Sequence, residues 1–184
     1  MPGNIVLIGF SGTGKSTVAR LLAGHLGWPV VDTDQEIVRR FGKSIADIFR
    51  DDGEAAFRAA EREVVAAACD RWQQVISVGG GAPVDPENRR RLRAGNWIIR
   101  LEASPRAILD RLRGHPGAEE RPLLAGPDPF QRIQSLLAAR QEAYAIADFA
   151  VDTEGRSPET VTEIILQALP SRAGLTDSIG GKSA

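Results

Sequence analysis

The segment Gly9-Phe10-Ser11-Gly12-Thr13-Gly14-Lys15-Ser16 matches the phosphate-binding pattern G-x-x-x-x-G-K-[ST] at every fixed position. It follows the apolar run Ile5–Ile8, and apolar residues at helical spacing come after it: Val18, Leu21, Leu22 and Leu26. A strand, a loop and a helix in this order are the context in which the pattern indicates a phosphate site. The sequence therefore predicts a site for a nucleoside triphosphate.

Each residue type in this segment suits the binding of phosphate. Glycine lets the backbone turn tightly and direct several N–H groups at one anion, and the helix that follows adds its positive end. Lys15 would reach the terminal phosphates, and the Ser16 hydroxyl would bind Mg²⁺. The dinucleotide pattern G-x-G-x-x-G is excluded, because Thr17 stands where its third glycine is required. We assign binding of the nucleoside triphosphate in this loop to Gly12, Thr13, Gly14, Lys15, Ser16 and Thr17.

Composition narrows the class of protein. The 184 residues are 42% hydrophobic and 26% charged, with a formal net charge of −1, which predicts one soluble globular domain. Near-neutral charge argues against nucleic acid or an acidic membrane surface as the partner. The chain contains no apolar run near the ~18 residues of a membrane span and no visible secretion signal. We expect a cytoplasmic protein, and nothing indicates an obligate oligomer, so we expect a monomer.

Short apolar runs alternate with helical patterns along the chain. The predicted strands lack polar alternation, as strands buried on both faces do: Ile5–Ile8, Val30–Val31, Val75–Val78, Trp97–Leu101 and Phe149–Val151. The main predicted helices are Glu54–Trp72, Pro86–Ala94, Ser104–Arg113, Asp128–Ala147 and Ser157–Leu169. This alternation predicts a three-layer α/β/α sandwich around a parallel sheet.

Three regions interrupt that alternation. Residues 33–72 contain only helical patterns, among them Ser44–Phe49, and are longer than a crossover requires, so we interpret them as a substrate-binding flap. Residues 114–129 are rich in glycine and proline, which fits either a mobile lid or a solvated surface loop. Residues 171–184 are rich in glycine and serine, and we expect a disordered tail.

Two further clusters follow predicted strands. Asp32 and Asp34 come at the end of the second strand, where ligands of an α/β sheet gather. On an extended chain both carboxylates would face the same side, one for a metal's water shell and one for a substrate hydroxyl. The alternative is a turn in which Asp34 caps the next helix. Gly79–Gly81 ends the third strand, which indicates either a close approach to the backbone or a flexible turn.

Taken together, these segments resemble the shikimate kinase family from Asn4 to about Leu169. The residues that carry the resemblance are Gly9–Thr17, Asp32–Asp34, Ser44–Phe49, Phe57–Glu61, Gly79–Gly81, Arg121–Leu124 and Arg140–Tyr144. The resemblance implies a P-loop NTPase fold with a five-stranded parallel sheet of order 2-3-1-4-5 in a single kinase domain, residues 1–170. It also implies a helical substrate-binding region at about 33–61 and a lid at about 112–126.

The resemblance further implies ATP-dependent phosphorylation of the 3-hydroxyl of shikimate, on the pathway to aromatic amino acids, with Mg²⁺ as cofactor. It places the substrate on Asp34, Phe49, Phe57, Arg58, Gly79, Gly80, Gly81 and Arg140. It assigns catalysis to Asp34, Lys15 and Arg121, and the metal to Ser16 and Asp32. It places further ATP contacts at Arg111, Arg121, Arg156 and Pro158.

The substrate fits these residue types. Shikimate carries one carboxylate, which a guanidinium fork such as that of Arg58 or Arg140 binds bidentately. For Arg58, a solvated helix face with Glu54 and Glu61 as ion-pair partners is the alternative, and Glu61 could also orient Arg58.

Two other functions remain open from the residues alone. A kinase for another small hydroxy acid, such as gluconate, would also need a phosphate loop and arginines for a carboxylate. A nucleotide-dependent switch with no transfer activity would not need Lys15, Asp34 and Arg121 together, and all three are present.

Overall fold

The computed structural model describes residues 3–114 and 127–169, which form a parallel sheet with helices on both faces. The strand order β2-β3-β1-β4-β5 confirms the predicted order, and every pair of neighbours is parallel. The strands are β1 Ile5–Ile8, β2 Val30–Asp32, β3 Val75–Ser77, β4 Trp97–Glu102 and β5 Phe149–Asp152.

Helices follow each strand, and most begin at a residue whose side chain caps them. Ser104 and Ser157 each accept a backbone N–H and precede a proline at the first helical position, where its missing N–H costs nothing. The helices are α1 Lys15–Leu26, α2 Thr33–Phe41, α3 Ile45–Asp51, α4 Gly53–Cys69, α5 Pro86–Arg93, α6 Pro105–Arg113, α7 Pro129–Ala139, α8 Gln141–Tyr144 and α9 Pro158–Ala168.

The three layers can be traced from β1, whose residues point alternately to the two faces of the sheet. Ile5 and Leu7 join one buried cluster with residues of α1 and α9, and Val6 and Ile8 join another with residues of α4 and α5. A separate cluster unites α2, α3 and α4 around Ile37. The segment expected to form a substrate flap therefore has a small core of its own beside the sheet.

Two predicted helices differ from the observed ones. The pattern Asp128–Ala147 is two helices, α7 and α8, because the backbone at Arg140, with φ −100° and ψ 0°, departs from regular helix dihedrals. The pattern Glu54–Trp72 ends at Cys69, since the chain turns back at Gln73, where φ is 58° and the N–H bonds the Gly3 carbonyl at 2.7 Å. At both breaks the chain makes contacts with segments that are distant in sequence, and a local pattern of apolar residues cannot predict such contacts.

Among the helices in the described part of the chain, none is both long and apolar enough to cross a membrane. Residues 115–126, which include Arg121 and most of the predicted lid at 112–126, lie outside the described residues, as does the predicted tail, 171–184. Of that lid, Leu112 and Arg113 belong to α6.

Candidate active site

The phosphate loop joins β1 to α1 at the carboxyl edge of the sheet. Gly12 and Gly14 have φ of +83° and +91°, a conformation that residues with a Cβ rarely adopt, so the turn depends on glycine. The loop borders a cavity of about 330 Å³. Its lining comprises Ser11, Gly12, Gly14, Lys15, Ser16, Thr17, Arg20, Asp32, Asp34, Gln35, Ser77, Val78 and Gly80.

Lys15 begins α1 and is buried within the loop. Its ammonium donates hydrogen bonds to the carbonyl oxygens of Gly9 at 2.9 Å and Phe10 at 2.8 Å. Burial lowers the pKa of Lys15 to about 8, and the carboxylates of Asp34 and Asp32 oppose that shift. The Lys15 ammonium has therefore lost most of its hydration, and a bound polyphosphate would stabilise its charged form.

Asp32 connects the phosphate loop to α2. Its Oδ2 accepts the Ser16 hydroxyl at 2.6 Å, and its Oδ1 accepts the N–H groups of Asp34 and Gln35. The helix cap is therefore Asp32, so the alternative in which Asp34 caps the helix is wrong. The extended-chain argument for these two carboxylates is also wrong, because Asp34 lies in the first turn of α2. The carboxylates are neighbours because the first one caps the helix that carries the second.

Asp34 faces the phosphate cavity from α2. Burial raises the pKa of Asp34 to about 6, the nearby Asp32 carboxylate raises it further, and the Lys15 ammonium opposes the rise. A carboxylate with such a pKa is a better proton acceptor at neutral pH than an ordinary aspartate.

The predicted close approach at Gly79–Gly81 is confirmed, and each glycine has a different neighbour. A Cβ on the first glycine would overlap the Asp34 carboxylate. On the middle one it would lie 3.1 Å from the Ser11 nitrogen, and on the third 3.0 Å from Nη1 of Arg58. This short segment therefore contacts the phosphate loop, the candidate base and a candidate substrate arginine at once.

Arg58 projects from α4 toward this segment. Its Nη1 donates to Glu61 at 2.8 Å and its Nε to Glu54 at 3.3 Å, so both ion pairs expected from the helix spacing are present. The Glu61 side chain is only 2% exposed, and burial raises the pKa of its carboxyl against the opposing effect of Arg58. Nη2 of Arg58 also donates to Glu54 at 3.3 Å, so a ligand carboxylate at that edge of the guanidinium would displace the exposed Glu54, while the buried Glu61 keeps Nη1.

Arg140 reaches the same place from the break between α7 and α8. Its Nη1 donates to the Gly80 carbonyl at 3.1 Å, and its guanidinium lies 5.2 Å from the centre of the Phe10 ring. The rings of Phe49 and Phe57 pack against each other with centroids 4.7 Å apart. Phe57 is only 4% exposed and is mainly a core residue, whereas Phe49 is half-buried.

A second cavity, of about 220 Å³, continues along the phosphate loop on the side of α9. Arg111 lines it and donates to the hydroxyl of Thr153 at 2.8 Å and to its carbonyl at 2.6 Å. The cavity contains all three residues expected near the adenine; its lining is Gly12, Thr13, Gly14, Thr17, Val18, Arg111, Thr153, Arg156, Pro158 and Val161.

Sequence reasoning missed three residues that support this site. The Thr33 hydroxyl accepts the Gly79 N–H at 2.9 Å, the Tyr144 hydroxyl donates to the Gly80 carbonyl at 2.6 Å, and Thr153 holds Arg111. The sequence signal for Tyr144 was its place at the end of the Arg140–Tyr144 segment, in which it was given no role. The signal for Thr33 was a hydroxyl between Asp32 and Asp34.

Comparisons with known proteins agree with this geometry. The family model described as shikimate kinase matches residues 11–170. The shikimate kinase of Symbiobacterium thermophilum is 46% identical over 170 residues, which is 92% of this chain and 97% of that protein. The family match therefore includes residues 11–17 of the loop, Arg58, Arg140 and the Gly79–Gly81 segment.

Solved structures give the same assignment. Shikimate kinase from Acinetobacter baumannii in complex with shikimate superposes with a TM-score of 0.84 at 34% identity, covering 90% of this chain and 91% of that one. A gluconokinase from Sinorhizobium meliloti superposes with a TM-score of 0.52 at 22% identity, covering 90% of each chain, a likeness that shows the fold alone. The family match and the high-identity relative together show that this chain belongs to the shikimate kinase family.

Proposed function

We propose that this protein transfers the terminal phosphoryl group of ATP to the 3-hydroxyl of shikimate, forming shikimate 3-phosphate for the synthesis of chorismate and aromatic amino acids. One observation carries the proposal: Gly79–Gly81 lies against the phosphate loop, Asp34 and Arg58 together. A nucleotide and a small acid bound on either side of this segment would have their reacting groups adjacent.

The substrate side is the helical region at about 33–61 together with the arginine at the α7–α8 break. Arg58 and Arg140 bind the carboxylate, and charge-assisted bonds of this kind contribute ~1.5–3 kcal/mol each. Phe49 and Phe57 form an apolar wall for the ring. The hydroxyl groups of the substrate bind to Asp34 and to the backbone of Gly79, Gly80 and Gly81.

The nucleotide side runs along the phosphate loop. Backbone N–H groups of residues 12–17, the N-terminus of α1 and Lys15 bind the phosphates. Arg111, Arg156 and Pro158, which line the second cavity, enclose the adenine. Arg121 adds positive charge to the transferring group from the lid at about 112–126.

The residues present fit Mg²⁺. Ser16 and Asp32 supply oxygen ligands within 2.6 Å of each other beside the loop, and Mg²⁺ is commonly held by one or two protein oxygens together with substrate phosphates. Ser16 would hold the ion directly and Asp32 through water. Bound Mg²⁺ would offset negative charge on the phosphate oxygens.

The protein's part in the reaction is positioning and charge stabilisation, since phosphoryl transfer needs little covalent work from the enzyme. Asp34 orients the attacking hydroxyl and accepts its proton as the bond to phosphorus forms. Lys15 stabilises charge on the transferring group. The product ADP and the phosphorylated acid then leave from the two sides of Gly79–Gly81.

A coupled assay of ADP formation tests the proposal by supplying ATP with shikimate, with gluconate, or with neither. We expect ADP release that depends on shikimate. ADP release that depends on gluconate would favour a sugar-acid kinase, and slow release insensitive to both acids would favour a nucleotide switch.

We further propose a cytoplasmic monomer consisting of one kinase domain, residues 1–170. Light scattering on the purified protein measures the oligomeric state.

Arg58→Lys is expected to raise the KM for shikimate by about 10-fold or more, with little change in the KM for ATP, because lysine cannot form the two-bond fork to a carboxylate. Arg62→Lys is the matched control, since Arg62 lies one turn further along α4 and pairs with Asp85 at 3.1 Å. Steady-state kinetics with each substrate varied in turn measure the effect. An unchanged KM for shikimate would show that Arg58 does not bind the shikimate carboxylate.

The pH profile of kcat/KM for ATP, which reports the free enzyme, is expected to be bell-shaped. Activity falls as the pH drops through about 6, because Asp34 becomes protonated and cannot accept a proton. It falls again as the pH rises through about 8, because Lys15 becomes neutral. Asp34→Asn should abolish the acid limb, and a wild-type profile that is flat through pH about 6 would contradict this assignment.

A further inference from the structure

The Gly80 carbonyl accepts two side-chain hydrogen bonds, and the proposed function uses only one of the two donors. Arg140 donates from Nη1 at 3.1 Å, and Tyr144 donates from its hydroxyl at 2.6 Å. The two donors are four residues apart, Arg140 at the α7–α8 break and Tyr144 at the end of α8, and the Tyr144 N–H bonds the Arg140 carbonyl at 3.0 Å. A substrate carboxylate would compete with Gly80 for Arg140 but not for Tyr144.

The surroundings of Tyr144 hold its hydroxyl in place. The side chain is 1% exposed and is the only tyrosine of the chain. On the side of β4 the Arg100 guanidinium lies 5.5 Å from the centre of its ring and is itself paired with Glu102 at 2.8 Å. Burial raises the pKa of Tyr144, so the phenol remains a hydrogen-bond donor over the working pH range.

The peptide that Tyr144 contacts separates the two halves of the site. Gly80 lines the phosphate cavity, and a Cβ placed on it would lie 3.1 Å from the Ser11 nitrogen and 3.3 Å from the Gly9 oxygen. A shift of this peptide would therefore change the spacing between the phosphate loop and the substrate side. Misplacement of reacting groups by about 1 Å can cost on the order of 10²-fold in rate.

From these contacts we infer that Tyr144 is a positioning residue that keeps the Gly80 peptide fixed while Arg140 engages the substrate carboxylate. Arg140 donates to the Gly80 carbonyl or to the substrate carboxylate, whereas Tyr144 donates to the Gly80 carbonyl with and without substrate. The inference rests on the proposed function for the identity of the carboxylate, but the hydrogen bond it assigns is a property of the protein alone.

Tyr144→Phe tests the inference, because it removes the hydroxyl and leaves the ring beneath Arg100. Loss of one buried neutral hydrogen bond predicts a fall of about 3- to 10-fold in kcat/KM for shikimate, shared between a higher KM for shikimate and a lower kcat. The KM for ATP should change by less than about twofold, because the phosphate loop is held by hydrogen bonds of its own, among them those of Lys15 to the Gly9 and Phe10 carbonyls. Amide hydrogen exchange at residues 79–82 should also become faster in the variant.

Gln74→Leu is the matched control, since Gln74 is buried and donates to the Ala68 carbonyl at 2.9 Å before β3, at the opposite edge of the sheet. It should lower the melting temperature without changing either KM. Wild-type kinetics and exchange in Tyr144→Phe would overturn the inference, as would equal changes for both substrates. A wild-type enzyme that leaves shikimate unphosphorylated would instead refute the proposed function, and the exchange measurement would still decide whether Tyr144 holds Gly80.

Discussion

Replacing Asp34 by asparagine is expected to lower kcat by ~10²–10⁴-fold, the usual contribution of a positioned general base, while the affinity for ATP stays nearly unchanged. Asparagine keeps the shape that fits against Gly79 but can neither accept the proton nor hold a negative charge near the attacking oxygen. The Asp34 charge also raises the pKa of Lys15, so the alkaline limb of the pH profile should move to lower pH in the variant.

Glu36→Gln is the control for this experiment. Glu36 lies on the same helix, α2, but pairs with Arg39 and Arg40 on the outer surface, so the same chemical change there should leave kcat unaltered. Kinetics and the binding of a non-hydrolysable ATP analogue measure the two effects separately. An Asp34→Asn enzyme with normal kcat would remove this residue from the reaction, and an equal loss of nucleotide affinity would assign it to phosphate binding.

Gly79→Ala is expected to lower kcat on the order of 10²-fold, the cost of moving reacting groups by about 1 Å. The added methyl would overlap Asp34 Oδ1 and approach Glu61 Oε1 to 3.3 Å, so the carboxylate must leave its position. Because the Glu61 carboxylate also bonds Arg58, the KM for shikimate should rise as well. Binding of ATP to the phosphate loop should change much less.

Gly24→Ala supplies the comparison for the glycine substitution. Gly24 lies within α1, and a Cβ there would meet nothing within 4 Å. Alanine should therefore stabilise the helix by about 0.5–1 kcal/mol and leave the kinetics unchanged. Melting temperatures of both variants, measured together with their kinetics, distinguish an unfolded enzyme from a folded one in which Asp34 is displaced. A fully active Gly79→Ala enzyme would show that Asp34 acts from another position.

The sheet and the phosphate loop could be predicted from the sequence because their determinants are local. A buried parallel strand is a short apolar run, and the loop needs glycine and lysine at fixed spacing. The Gly79–Gly81 approach was predictable for a related reason, since glycines at the carboxyl end of a strand leave room for a neighbour.

What could not be predicted depends on contacts between distant segments. The helix break at Arg140 gives this arginine access to Gly80, and that contact spans 60 residues of sequence. The role of Tyr144 depends on the same carbonyl. The cap at Asp32 was not predicted, because both Asp32 and Asp34 suit a helix N-terminus. The alternative named Asp34, whereas Asp32 is the residue that accepts the N–H groups of Asp34 and Gln35.

The dual bonding of Asp32 also limits how this position can vary. One carboxylate oxygen starts α2, a contribution of about 0.5–2 kcal/mol for such caps, and the other accepts the Ser16 hydroxyl. Asparagine or serine could still start the helix, but neither supplies two anionic oxygens. We therefore expect fewer substitutions to be tolerated at residue 32 than at a residue that only caps a helix. A variant at this position would change both the stability of α2 and the affinity for the ion, so both must be measured.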